Sequence, residues 1–106
     1  MSEELTREVI MRALASLRER NIVPSVDLPA VIFIPLEDEP GYQTRIAIDL
    51  AEAAAAADIP DVSAERLATS LATYLDEVVN VVPAYETIAR VINAGGGVIR
   101  IYLRAE

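Results

Sequence analysis

The sequence predicts an α+β domain: a small antiparallel sheet with helices packed on one face, ending in a β-hairpin. Three observations carry that prediction. Apolar residues recur at three- and four-residue steps in several separate stretches, which is the period of an amphipathic helix. The last run alternates, with Ile99, Ile101 and Leu103 on one side and Val98, Arg100, Tyr102 and Arg104 on the other. Gly95, Gly96 and Gly97 lie between two strand-like runs, where a hairpin would turn. With 106 residues, 53% of them apolar, residues 1–106 are read as a single domain able to form one core.

The elements follow in order. Glu3 to Arg20 reads as a helix, with Leu5, Val9, Ala13 and Leu17 on one stripe and Ile10 and Leu14 beside it. Ser2 is its candidate cap, Glu3 and Glu4 suit its first turn, and Asn21 is its expected stop. After a connector from Pro24 to Pro29, Ala30 to Leu36 is apolar at both parities. It reads as a central strand covered on both faces, or at a sheet–helix junction. Pro35 and the acidic turn Glu37-Asp38-Glu39-Pro40-Gly41 end it. Arg45 to Ala57 is helical, with Ile46, Leu50, Ala53 and Ala57 on one face and Thr44 as a candidate cap. Asp58-Ile59-Pro60-Asp61 breaks that helix, and Ser63 caps the next. The next helix has a stripe of Leu67, Leu71, Leu75, Val78 and Val82, and its end falls between Asp76 and Pro83. Thr87 to Asn93 and Val98 to Arg104 form the hairpin. If the glycines are its loop, Ile92 faces Arg100 and Arg90 faces Tyr102.

Composition removes whole classes of chemistry. Histidine and cysteine are absent, and with them go the commonest general base, the commonest metal ligand and the commonest low-pKa nucleophile. All nine basic residues are arginine, so neither a Schiff-base lysine nor a lysine-type phosphate loop is available. No catalytic residue, no metal site and no cofactor is therefore expected. Charged residues interrupt Met1 to Arg20, which does not read as a signal peptide, and no stretch reads as a membrane span. A cytoplasmic location and no membrane partner are expected. A net charge of −8 opposes polyanions on average and leaves room for a local basic patch.

Two segments carry a resemblance. Pro40-Gly41-Tyr42-Gln43-Thr44-Arg45 runs into the helix Ile46-Ala47-Ile48-Asp49-Leu50-Ala51. Val91-Ile92-Asn93-Ala94-Gly95-Gly96-Gly97 runs into Val98-Ile99-Arg100-Ile101-Tyr102-Leu103. In this order, across nearly the whole chain, they resemble the N-terminal additional domain of arginyl-tRNA synthetases, with its Gly-Asp-Tyr-Ala-Thr-Asn segment and Ala-Gly-Pro-Gly-Phe-Ile-Asn hairpin. The resemblance implies an α+β module that touches the tRNA corner near the D-loop and is not catalytic by itself. It also implies that a longer parent would be an arginine–tRNA ligase. No segment resembles the HIGH or KMSKS motifs of the synthetase catalytic domain. The sequence departs from the pattern at Pro40-Gly41, at Arg45 and in the hairpin. There, the positions of the base-reading aromatic and asparagine hold Val98 and Arg100. Valine cannot stack on a base as an aromatic ring does.

The candidate RNA-binding residues are Tyr42, Thr44, Arg45, Arg90, Val98, Arg100, Tyr102 and Arg104. Arginine forks suit phosphates, and an interleaved tyrosine suits a base. The plainer alternative is a solvated sheet face whose arginines pair with the seventeen carboxylates. The triglycine reads as a turn rather than as an anion nest, and the acidic turn as solvated. Two functional readings stay open. One is a weak tRNA-binding accessory module. The other is a protein-interaction or structural module on the same fold, whose partner is a synthetase catalytic domain or another protein.

Overall fold

The computed structural model describes residues 2–37 and 39–104, apart from the side chain of Ser2. Three helices and a four-stranded antiparallel sheet follow one another along the chain. They are α1 (Ser2–Glu19), β1 (Ile34–Pro35), β2 (Gly41–Thr44), α2 (Ile46–Ala56), α3 (Ala64–Val81), β3 (Ile88–Gly95) and β4 (Val98–Leu103), with a 3₁₀ turn at Pro83–Tyr85. The strand order is β1-β2-β4-β3. Helix α3 packs on β3 and β4, α2 packs on α3 and β4, and α1 packs on α3. The expected α+β class, the helices on one sheet face and the C-terminal hairpin are all observed.

Local chemistry explains where the helices stop. Asn21 takes a left-handed φ of 61° after α1. Its N–H donates to the Arg18 carbonyl at 3.0 Å, and that of Ile22 to the Leu17 carbonyl at 2.9 Å. Asp58, with φ 58°, ends α2 in the same way, with Asp58 and Ile59 donating back to Ala55 and Ala54. Ser63 caps α3, its hydroxyl accepting the Arg66 N–H at 3.4 Å. Helix α1 already includes Ser2, and the expected cap by its side chain lies outside the described residues, as does Asp38 of the acidic turn.

Two helical stripes are displaced from expectation. In α2 the buried set is Ile46, Ala47, Leu50 and Ala54, with Ala57 exposed. An alanine run offers little contrast between faces, so packing rather than pattern chooses Ala54 over Ala53. In α3 the buried set is Leu67, Ala68, Leu71, Ala72, Leu75 and Val79. Val78 and Val82 are only half-buried at its margin.

Ala30 to Leu36 is the principal correction. It is an edge segment, not a central strand, and only Ile34 and Pro35 are paired. Val31 and Phe33 point into the core, while Ile32 and Ile34 remain 63% and 53% exposed. Leu36 donates its N–H to the Gly41 carbonyl, and Ile34 lies opposite Gln43. Ladder alternation therefore turns the nitrogen of Pro35 to the outer side, where a proline withholds no bond from the sheet. Arg7 donates to the Val31 carbonyl at 3.2 Å, and its guanidinium lies over the Phe33 ring. The opposite edge, β3, is irregular between Ile88 and Arg90 and again between Asn93 and Gly95.

Candidate nucleic-acid interface

The hairpin register divides the candidate residues between the two faces of the sheet. Cα partners share a face. Val91, Ile101 and Tyr42 form one cross-strand row, and Ile99 and Thr44 belong to the next row on the same side. Ile99 and Ile101 are fully buried there beneath the helices, as their alternation predicts, and Leu103 is half-buried beside them. The other face carries no helix. One of its rows runs Ile34, Gln43, Arg100, Ile92, and the next runs Gly41, Tyr102, Arg90. The expected pairs Ile92–Arg100 and Arg90–Tyr102 are both present.

Arg90, Arg100 and Tyr102 therefore stand together on the open face. The Arg90 guanidinium lies 4.5 Å from the centre of the Tyr102 ring, a cation–π contact that holds both side chains on the surface. Among the described residues, no ion pair or hydrogen bond engages the Arg100 side chain. Val98 is half-buried at the tip end of β4, opposite Gly95.

The remaining candidates sit elsewhere. Tyr42 shares the face of Ile101 and packs on Phe33, with ring centres 5.5 Å apart. Thr44 is buried, and its hydroxyl accepts the Ile46 N–H at 3.3 Å where α2 begins. It acts at the helix start, as its sequence context suggests, but from one position further out. Arg45 is exposed and already paired, at 3.3 Å to Asp49 and 3.4 Å to Glu52. Arg104 lies past the end of β4, with its Nε donating to the Glu86 carbonyl at 2.6 Å. Tyr42 does not stand with the hairpin arginines on the open face. The reason is parity: Tyr42 pairs with Ile101, so its side chain turns toward the helices, where it is half-buried against the core.

Pairing in β2 brings in residues that sequence reasoning did not single out. Gln43 and Ile34 join Arg100 on the open face, beside the expected Ile92. Once β2 is recognised as a strand, Gln43 follows from simple alternation between Tyr42 and Thr44. Gly41 lets β2 approach β4 closely beside Leu36. A Cβ there would lie 2.2 Å from the Ile101 carbonyl oxygen and 3.0 Å from Leu36, and its φ is 150°. A shallow cleft of about 430 Å³ lies on this face, lined by Ile34, Leu36, Glu37, Glu39, Gln43, Arg100 and Tyr102. The face is thus cationic over β3–β4 and anionic at the β1–β2 turn.

On α1, Arg12 donates to the Tyr85 hydroxyl at 3.5 Å, and this bond raises the arginine pKa above its ordinary value. Arg20 lies over the Tyr74 ring. These two arginines clasp aromatic side chains outside the sheet. Among the described residues, no group of three or more acidic side chains converges as a metal-holding set, and no helix is long and apolar enough to cross a membrane. No protein-family model, curated protein or solved structure matches this chain.

Proposed function

We propose that this chain is a non-catalytic RNA-binding accessory module, of the kind it resembles in arginyl-tRNA synthetases, and that it meets tRNA with the open face of its sheet. The observation carrying this reading is the juxtaposition of Arg90, Arg100 and Tyr102 at adjoining register positions on a face without helices. Guanidinium groups there suit phosphates, and the tyrosine suits an unstacked base. Binding is weak, because two arginines work against a net charge of −8.

Titration with total tRNA tests the reading. Neutralising two phosphates gives a log–log salt slope of about −1.4 for single-stranded contacts, so raising salt from about 50 to 200 mM weakens binding roughly sevenfold. Arg90→Glu with Arg100→Glu abolishes association, and Arg18→Glu on α1 leaves it unchanged. A chain that does not associate with tRNA at about 50 mM salt refutes the proposal.

The second reading is a protein-interaction module using the same face. Exposed Ile32 and Ile34 favour it, as do Glu37 and Glu39 beside Ile34, which form no ion pair among the described residues. So does the burial of Thr44 and the prior engagement of Arg45. It becomes the better account when tRNA fails to bind and Ile34→Asp disrupts a protein complex.

A further inference from the structure

Three consecutive glycines at the hairpin tip all have positive φ, at 95°, 63° and 86°. Such a tip has the largest conformational entropy a chain can have. The ladder does little to hold it, because pairing is irregular between Asn93 and Gly95. A closed circuit of hydrogen bonds holds it instead. Gly95 donates its N–H to Asn93 Oδ1 at 3.0 Å, and Asn93 Nδ2 donates to Thr69 Oγ1 at 3.0 Å. Thr69 Oγ1 donates to the Glu65 carbonyl at 2.9 Å, and the Glu65 carboxylate accepts the Gly96 N–H at 3.1 Å. The tip also lies tight against the helices. A Cβ on Gly97 would stand 2.8 Å from Ile48 and 3.0 Å from Ala64. The pose of the tip is therefore set by hydrogen bonds to α3 and close packing on α2 and α3, not by its strand partners alone. Val98, paired with Gly95, follows directly from that tip, and Arg100 is the next residue along the same face of β4.

From this geometry we infer that Glu65 is a positioning residue for the open face: its carboxylate docks the triglycine tip on α3 and thereby sets how Val98, and through it the end of β4 leading to Arg100, is presented to a ligand it never touches. The inference rests on the RNA reading for its ligand and on the protein alone for its geometry. Two substitutions separate positioning from charge. Glu65→Gln keeps an acceptor for the Gly96 N–H and removes a negative charge, so it binds tRNA at least as tightly as the parent. Glu65→Ala removes the acceptor and weakens binding roughly 2–10-fold, the weight of one net hydrogen bond. Simple electrostatics gives the opposite sign for Glu65→Ala, because losing a carboxylate favours a polyanion. The loss is not additive with Arg100→Ala, since both act through the same contact.

The experiment pairs tRNA titration of these variants with amide hydrogen exchange by NMR in the free protein. Expected are faster exchange at Gly96 and shifted Val98–Arg100 amide resonances in Glu65→Ala, with parent-like values in Glu65→Gln. Unchanged exchange and resonances in Glu65→Ala overturn the inference whatever the RNA result, as does tRNA binding by Glu65→Ala equal to or tighter than that of the parent. If the parent binds no tRNA, the RNA reading fails, and the exchange data alone decide whether Glu65 sets the tip.

Discussion

Ile101 and Ile34 are the same residue type in one sheet, and the structure assigns them opposite environments. Ile101 is fully buried beneath α2 and α3, whereas Ile34 is 53% exposed on the open face. Truncation to alanine removes the outer carbons of the side chain, worth about 2.4 kcal/mol at about 0.8 kcal/mol each. At Ile101 the whole transfer term is lost, and the cavity left among Tyr42, Val91 and the helices adds to it. Ile101→Ala therefore costs about 2–5 kcal/mol. That is a large share of the roughly 5–15 kcal/mol that holds a domain of this size together. At Ile34 about half the transfer term applies and no cavity forms, so Ile34→Ala costs at most about 1.2 kcal/mol. Urea unfolding followed by circular dichroism measures both, with unchanged m values showing that the unfolded states are comparable. A loss near 3 kcal/mol also lowers Tm by about 10 °C or more. Equal costs at the two positions, or a larger one at Ile34, would refute the assignment of faces and with it the placement of Arg100 and Tyr102.

Two other substitutions test the site's construction. Gly41→Ala places a Cβ against the Ile101 carbonyl at a φ of 150°, so it lowers stability by more than about 2 kcal/mol and widens β2–β4 pairing, measured by urea unfolding and backbone amide shifts. Arg45→Ala leaves tRNA affinity within about twofold, because its guanidinium is already held by Asp49 and Glu52.

Helices were legible wherever the sequence carried contrast and caps. Asn21, Asp58 and Ser63 each act at the helix end that their chemistry implies. The middle of the hairpin was legible, with Ile92 opposite Arg100 and Arg90 opposite Tyr102, because alternation in β4 and a glycine turn fix register and face. The irregular steps at Ile88–Arg90 and Asn93–Gly95, and the pairing of Gly95 with Val98, were not legible. The Ala30–Leu36 segment was not. Its apolar residues occupy both parities, and periodicity cannot distinguish a strand covered on two sides from an edge strand with exposed isoleucines. Strand β2 was hidden for a different reason. Four residues between a Pro-Gly turn and a helix cap look like connector, and their pairing with β4 joins distant parts of the chain. That single unread pairing misplaced Tyr42 and Thr44, and it also concealed Gln43. The arginine partners were equally invisible, since Arg45 meets Asp49 and Glu52 only once α2 has formed.

Both borders of the sheet are defended against further strands. At β1, proline removes a donor and Arg7 occupies the Val31 carbonyl, and at β3 the ladder is irregular at two places. These features disfavour extension of the sheet by another strand, and the proposed reading instead has a partner recognised by side chains on the open face. Main-chain pairing is nearly indifferent to sequence, whereas side-chain recognition is not. On the proposed reading, partner choice is consequently written in a few positions, Ile34, Gln43, Arg90, Ile92, Arg100 and Tyr102, which lie on the face away from the helices. Such a surface can be respecified one substitution at a time while the scaffold beneath it stays the same. A lineage could thus carry this module from one ligand to another without passing through an unfolded intermediate sequence.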